Sequence, residues 1–527
     1  SDIPDFFAKA FSIFNSQRPR SVHISIPLDV QSQLVAEEWL PAEEIQRPSP
    51  KQDLIIKAVE MLKNSKKPFV IVGGGASKAG KNLSILAEMI GAPIISSTAG
   101  KGIVSDYHPL HLSGSTVRLE GRDYLAEADV ILAIGTELSE TDSFTKKLQI
   151  NGELIRIDID PSKINDLHPA KLGIVSDAEK AVWKIVEKLD GFQNEDRTKE
   201  VVSRVQELRQ SMQTNLTDPE RQHFRLLSIL RENTDEDTIF SGDACQLVYT
   251  GAFAFNIPKA KQWFYPAGFC ALGNALPNGI GAKLACPDSK VVVLAGDGGF
   301  MFTMPELLTA VDLAMSLPII IWENGGLKQI QDDMDAVGVT RVGVEGINPD
   351  FVSLAKACHC EGIYVDTKEK FIRGLKKAFE RPFPTLIIVN EVDFEQTVDL
   401  IQNPQIELIS SNSKLEEVGA RVHALVGDSD SEILEFKDLS INLKTYEAKA
   451  GDVLLDLTFI EYELLKFFVV NQENVWSREQ LLEKVWGYDY FGGARTVDVH
   501  VRRLRAKLGD QRNDWIKTVH SVGYKFN

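Results

Sequence analysis

Residues 291–329, VVVLAGDGGFMFTMPELLTAVDLAMSLPIIIWENGGLKQ, leave few folds open to the chain. Val291 to Ala295 is a short, β-branched apolar run stopped by glycine, the pattern of a parallel strand buried on both faces. Gly296-Asp297-Gly298-Gly299 follows, and without β-carbons its backbone N–H groups can approach a ligand closely. Pro305 to Met315 reads as a helix, with Leu307, Leu308, Val311 and Ala314 on one face and Pro305 near its first turn. A second apolar run, Ile319 to Trp322, ends at Asn324-Gly325-Gly326. Strand, helix and strand in so short a length make a right-handed βαβ unit whose strands are parallel neighbours. Asp297 and Asn324, 27 positions apart, then emerge at one carboxyl edge, where α/β sheets hold ligands. One carboxylate, one amide oxygen and a glycine-lined backbone suit Mg²⁺, which shares a few side-chain oxygens with a diphosphate. A lone Gly-Asp-Gly is more often only the turn that closes a strand. The Asn at the matching strand end tips the reading towards a site.

At 527 residues the chain has room for three or four domains. No apolar run reaches the length of a membrane span and the start carries no basic–apolar signal, so no membrane partner and a cytoplasmic location are expected. The first residue is Ser, which reads as a fragment. Cys245, Cys270, Cys286, Cys358 and Cys360 show neither disulfide nor metal-ligand spacing and are expected reduced. The net charge of −17 is uneven: residues 433–527 hold 14 basic and 14 acidic groups, so the preceding 432 carry the whole deficit. Within 476–527 the count is 10 basic against 6 acidic. A basic end on an acidic chain points to two jobs with different partners.

In order, Phe6 to Phe14 reads as a helix and Ser21 to Ile26 as a strand, and residues 31–50 as a polar, proline-containing linker. Strands at Lys67 to Val72, Pro93 to Ser96, Val130 to Gly135 and Leu154 to Ile159, with a helix at Ser84 to Ile90, make an α/β domain over 51–190. Residues 195–395 form another around the opening motif, and 396–414 a polar junction. Gly-Asp-Gly with Asn-Gly at this spacing resembles the diphosphate motif of thiamine-diphosphate-dependent enzymes. RPRSVHISIPLDV is similar to the close of the pyrimidine-binding domain of acetolactate-synthase-like members, so residues 1–30 read as a remnant of it. AEADVILAIGTEL and LIRIDIDPSKI resemble their central domain, and YPAGFCALGNALPNGIGAKLA (265–285) their pyrophosphate domain. IIIWENGGLKQIQDDM is similar to the guanidino-oxopentanoate decarboxylases.

The resemblance implies thiamine diphosphate held through Mg²⁺, with Asp297 and Asn324 as side-chain ligands and Gly326 giving its carbonyl. Gly296, Gly298 and Gly299 would line the diphosphate. Leu272 would wedge beneath the cofactor and fold its two rings into a V, which brings reacting groups together. Cys270 stands where glycine is usual, and Glu323-Asn324 replaces the common Asn-Asn. The substrate would be a small 2-oxo acid. His108-Pro109-Leu110 is followed by HLSGSTVRLEG instead of the Met-His-Gly element of flavin-holding members, which argues against FAD and for a structural central domain. The activating glutamate of the pyrimidine domain has no counterpart, so negligible decarboxylase activity is expected from the chain alone, and a homo-oligomer or a complex with a full-length homologue is the expected assembly.

Leu415 to Val426 reads as a helix, and ILEFKDLSINLKTYEAKAGDVLLDL as a small antiparallel sheet turning at Asp438 and Gly451. Thr458/Glu461 and Ser477/Gln480 are capping boxes opening two helices. Arg495 to Leu508 is a third, with Val497, Val501, Leu504 and Leu508 facing inward and Arg495, His500, Arg502, Arg503, Arg505 and Lys507 outward. Three helices and a terminal hairpin, WIKTVHSVGYKF, make a winged helix. TVDVHVRRLRAKLG and the hairpin resemble the DNA-binding domain of OmpR/PhoB-type response regulators over 415–527, with VWGYDYFGGARTVDVHVRRLRAKLG similar to actinobacterial nitrogen-response regulators. That implies double-stranded DNA as partner, contacted by Arg495, His500, Arg502 and Arg503, with Thr518 near the backbone and His520 in place of the usual wing arginine. The receiver domain that a phosphorelay would need is absent but for its last helix.

The expected fold class is therefore α/β: two doubly wound parallel-sheet domains of the thiamine-diphosphate-enzyme fold, with the first domain truncated, then a small α+β winged-helix domain. Three functional readings stay open at this point: an enzyme module with a DNA-binding tail, a transcription regulator using the enzyme-like part for sensing or oligomerisation, and an artefactual fusion of two genes.

Overall fold

The computed structural model describes residues 2–35, 42–43, 45–394, 433–442, 447–451, 453–455, 457–472, 474–486, 495–509, 512–519 and 522–526. They fall into two compact units, Ser1–Gln396 and Thr397–Asn527.

The first unit opens with a helix, Ile3–Ser16. The expected strand at Ser21 to Ile26 is not formed: the segment has no regular secondary structure and is largely exposed, and no strand among the described residues runs beside it. A strand without a neighbour leaves its ladder donors and acceptors to water. Five parallel strands follow, β1 (Pro68–Val72), β2 (Ile94–Ser96), β3 (Val130–Ile134), β4 (Glu153–Asp158) and β5 (Leu172–Val175), in the order β2-β1-β3-β4-β5. β1 and β3 are buried along their whole length, as their unbroken apolar runs require. β5 is a half-exposed edge strand, too short and too mixed for its apolar pattern to announce it.

The second sheet of this unit is also parallel: β6 (Ile239–Gly242), β7 (Trp263–Phe264), β8 (Val291–Gly296), β9 (Pro318–Glu323), β10 (Glu361–Val365) and β11 (Thr385–Asn390), ordered β10-β11-β9-β8-β6-β7. From β6 the chain moves to one side and from β8 to the other, so the strand order reverses between them and opens a crevice at their carboxyl ends. Register pairs Gly296 with Trp322, which brings Asp297 and Glu323-Asn324 to one edge. The helix expected at Pro305 to Met315 forms in a shorter span, Glu306–Asp312, and a helix that was not expected, Asp297–Thr303, precedes it. Proline lacks the N–H and crowds the preceding turn, so the first helix stops before Pro305, and Leu308 of the second is exposed.

A buried polar knot joins the layers of the two sheets. Lys101 Nζ donates to Asp106 Oδ2 (2.8 Å), Ser113 Oγ (2.6 Å) and the Ala252 carbonyl (3.0 Å). Asp106 also accepts from the Ile257 amide (2.8 Å). Each buried charge is thus paired and hydrogen-bonded, the condition for tolerating it.

The second unit holds an antiparallel sheet, β12 (Ile433–Phe436), β13 (Leu439–Asn442), β14 (Glu447–Ala450) and β15 (Val453–Leu454). Helices Phe459–Val470, Arg478–Trp486 and Arg495–Leu508 follow, and both capping boxes form: Thr458 with Glu461, and Ser477 with Gln480. The terminal hairpin, β17 (Ile516–Val519) and β18 (Gly523–Phe526), gains a third strand from β16 (Val475–Ser477), which is too short to stand out in the sequence. The helix expected at 415–426 lies outside the described residues.

Candidate functional site

Asp297 is fully buried at the end of β8. Its Oδ2 accepts from the amides of Gly325 (2.8 Å) and Gly326 (3.0 Å) and from Asn348 Nδ2 (2.7 Å). Among the described residues, Oδ1 receives only the neighbouring Gly298 amide, at 2.8 Å. One oxygen is therefore saturated while the other keeps a lone pair for a further partner. Gly325 and Gly326 take φ of 86° and 109°, which side chains rarely adopt. A β-carbon on Gly298 would lie 3.1 Å from the Gly326 carbonyl oxygen, so that oxygen is brought up against the Asp297 turn. Asn324 Nδ2 donates to Gln246 Oε1 (3.2 Å), and its own Oδ1 has no hydrogen-bond partner among the described residues. The structure thus brings Asp297 against the turn that carries Asn324 and Gly326.

Asp243, at the end of β6, escaped the sequence reading although it follows a short apolar run and a glycine as Asp297 does. It is buried, and burial pushes its carboxyl above the ordinary range. It accepts from the Gly273 amide (2.9 Å), and a β-carbon on Gly299 would lie 2.9 Å from its Oδ2. Gly299 thus serves close packing on Asp243 as well as access to the turn. Thr303 Oγ1 donates to the Gly273 carbonyl (2.7 Å), so the loop bearing Cys270 and half-buried Leu272 is pinned beside the site. Cys245 sits under Gly296, and burial raises its thiol to about 12.

Cys270 has φ of 52°, a left-handed conformation that costs a side-chain-bearing residue about 1 kcal/mol or more. Its compensation is a contact of Sγ with Tyr265 Oη at 3.5 Å. Cys270→Gly is expected to stabilise the first unit by about 1 kcal/mol, read as a raised urea midpoint.

The electrostatics decide what the crevice can take. Asp297, Asp243 and Glu323 lie around it, while the nearby Lys328 is paired with Asp332 at 2.5 Å. Among the described residues no cluster of three His, Cys, Asp or Glu side chains could hold a metal alone. A diphosphate would meet carboxylates here unless a cation came with it, and a cation would need phosphate oxygens to fill its shell. The donors present fit that shared arrangement. At the carboxyl edge of the first sheet a separate cavity of about 480 Å³ is lined by Gly74, Gly75 and Gly135, with Glu137, Asp142, Asp158 and Asp177 and with Arg18 and Arg47, which pair with Glu137 and Asp177.

In the second unit, Val497, Val501, Leu504 and Leu508 are buried as expected. Arg502 and Arg503 are exposed, and His500 Nδ1 lies 2.9 Å from the Thr496 carbonyl. Arg495 opens the helix. Two of the outward set are otherwise engaged: Arg505 Nε donates to the Ile516 carbonyl (2.9 Å) and Nη2 to Thr518 Oγ1 (3.0 Å), while Lys507 Nζ donates to Glu461 Oε2 (2.6 Å). They brace the hairpin and the first helix against the third. His520 lies outside the described residues.

Comparison with known proteins completes the picture. Residues 55–185 match the central domain of thiamine pyrophosphate enzymes, 243–389 their C-terminal TPP-binding domain, and 452–526 the C-terminal domain of transcriptional regulatory proteins. A probable 2-ketoarginine decarboxylase of Pseudomonas aeruginosa is 38% identical over 389 residues, covering 73% of this chain and 69% of that protein. A probable acetolactate synthase large subunit of Methanococcus aeolicus is 28% identical over 421 residues, with 73% and 69% covered. Benzoylformate decarboxylase from Polynucleobacter necessarius shares the fold, with a TM-score of 0.60 at 20% identity over 74% of this chain and 73% of that one. The chain belongs to the thiamine-pyrophosphate-dependent enzyme family, on its acetolactate synthase and 2-oxo acid decarboxylase side. An OmpR/PhoB-type regulatory domain is joined to it at the C-terminal end.

Proposed function

We propose that the first unit anchors thiamine diphosphate through Mg²⁺ at the carboxyl edge of β8 and β9, and that the second reads double-stranded DNA. The observation that carries the first part is the Asp297 carboxylate, one oxygen held by three donors and the other by the Gly298 amide, at an edge where Asp243 and Glu323 make the surroundings too acidic for an uncompensated diphosphate. Asp297, Asn324 and the Gly326 carbonyl would hold the ion. Gly296, Gly298 and Gly299 would let the diphosphate approach the backbone, and Cys270 and Leu272 would lie against the rings. Thiamine diphosphate, when bound, supplies an electron sink for decarboxylation. The relatives' names point to a 2-oxo acid as substrate. FAD stays outside the proposal, because HLSGSTVRLEG follows His108-Pro109-Leu110 where flavin-holding members carry a Met-His-Gly element. Calorimetric titration of the full chain with thiamine diphosphate, with and without Mg²⁺, tests the reading. Binding that ignores Mg²⁺ would sink it.

For the second part, Arg502 and Arg503 present two exposed guanidinium groups on the helix that a winged helix places in the major groove. Arg495, His500, Thr518 and His520 complete the proposed contact set, Thr518 sharing its hydroxyl with Arg505. Arg502→Ala is expected to weaken operator binding about tenfold, and to lower the salt dependence by about one ion if its contact is a phosphate. Gel shift at several salt concentrations checks it. A second reading, cofactor sensing without turnover, rests on the joining of the two modules in one chain. DNA affinity that changes with thiamine diphosphate would favour it.

A further inference from the structure

The segment 337–350 returns over the carboxyl edge of the second sheet, and it is fastened there by several bonds. The Leu327 amide donates to the Val344 carbonyl (3.0 Å), and Gln331 Nε2 bridges the Gly325 and Val344 carbonyls at 2.9 and 3.0 Å. At its end stands Asn348, just before the helix that begins at Phe351. Its Nδ2 donates to Asp297 Oδ2 at 2.7 Å and also to Glu323 Oε1 at 3.2 Å. Glu323 Oε2 in turn accepts from Asn390 Nδ2 at 3.3 Å, at the end of β11. One amide group thus lies between two carboxylates that would otherwise repel one another, and it fixes the rotation of Asp297 about its last bond.

We propose that Asn348 is a positioning residue for the divalent cation, setting Asp297 so that Oδ1 alone faces the ion. The inference rests on the site reading given above. Asn348 acts through Asp297 and touches neither cofactor nor substrate. Two features make this more than loop packing. First, the Gly298, Gly325 and Gly326 amides all come from backbone, and Asn348 adds a side-chain donor to Oδ2 from a separate segment. Second, Glu323 occupies a position where a shift of Asn348 would leave two negative charges facing each other beside the ion. Partners of metal-ligating carboxylates typically tune affinity by 10- to 100-fold. Mg²⁺ should feel the loss most, because it demands near-ideal octahedral geometry, whereas Ca²⁺ accepts irregular shells.

The test is Mg²⁺ and Ca²⁺ titration of the full chain at saturating thiamine diphosphate, by calorimetry, with the unliganded melting temperature as a control on the fold. Asn348→Ala is expected to weaken Mg²⁺ binding by about 10- to 100-fold and Ca²⁺ binding by clearly less. Asn348→Gln, which keeps an amide donor on a longer arm, is expected to lose less Mg²⁺ affinity than the alanine variant. Wild-type Mg²⁺ affinity in Asn348→Ala overturns the proposal. So does an equal loss of both cations accompanied by a lower melting temperature, the mark of a merely structural role. Wild-type chain that binds thiamine diphosphate without regard to either cation overturns the site reading itself, and the inference with it.

Discussion

Asp297→Ala is expected to reduce Mg²⁺-dependent thiamine diphosphate binding by at least about 100-fold, which corresponds to about 2.7 kcal/mol. The change removes the one carboxylate among the three proposed oxygen donors, so the ion loses charge as well as a ligand. It also strips the acceptor from the Gly325 and Gly326 amides and from Asn348 Nδ2. Buried donors left unpaired cost about 1–3 kcal/mol each, so part of any lost binding would come from a loosened turn. Asp297→Asn separates the two effects. Its amide oxygen can take the place of Oδ2 beneath Gly325 and Gly326, which leaves an NH₂ group at the Oδ1 position, opposite the Gly298 amide, with no lone pair for a cation. That variant keeps the Oδ2 contacts, so it should melt closer to the wild-type temperature than Asp297→Ala does and still fail to bind the cation. If Asp297→Asn binds thiamine diphosphate with Mg²⁺ as well as the wild type does, Asp297 is only a structural acceptor.

How much of this was legible beforehand depends on the distance over which each feature is encoded. β8 and β9 are unbroken apolar runs closed by glycine, and their pairing follows from the shortness of the crossover, so Asp297 and Asn324 could be set together from residues alone. The capping boxes at Thr458 and Ser477 are equally local. Asn348 is not: it stands 51 positions from Asp297 and meets it only because segment 337–350 folds back. Nothing in Asn-Pro-Asp reads as more than a turn. Arg505 and Lys507 looked like surface charges for the same reason, since their partners Ile516 and Glu461 lie elsewhere in the sequence. Ser21 to Ile26 shows the converse failure. Its alternation is that of a strand, but a strand is formed by its neighbour as much as by its own residues.

Acid should destabilise the first unit from below about pH 6.5, because two buried histidines are held neutral. His223 Nδ1 lies 2.9 Å from Thr250 Oγ1, and its ring stands edge-on to Trp322 with centroids 5.0 Å apart. Burial lowers it to about 4, against a weak opposing pull from Glu220. His111 Nε2 lies 2.7 Å from Ser96 Oγ, and burial likewise lowers it to about 4, with Asp106 opposing and Lys101 and Arg209 assisting. In the unfolded chain both would titrate near the ordinary histidine value of about 6.5. The unfolded state therefore binds protons first as pH falls. The stability these rings contribute is complete above about 6.5 and is lost progressively towards 4. Between pH 7 and 5 each should cost about 2 kcal/mol. Asp142, Asp158 and Asp243, raised by burial, act in the opposite sense and gain stability as they protonate. Replacing a histidine isolates its share from theirs. Urea unfolding at pH 7, 6 and 5 should show a fall in stability from pH 7 to 5 that is smaller by about 2 kcal/mol in His223→Gln than in the wild type. Equal falls in both proteins would mean that the His223 ring accepts its proton in place, through water reaching Nε2, the ring nitrogen that has no hydrogen-bond partner.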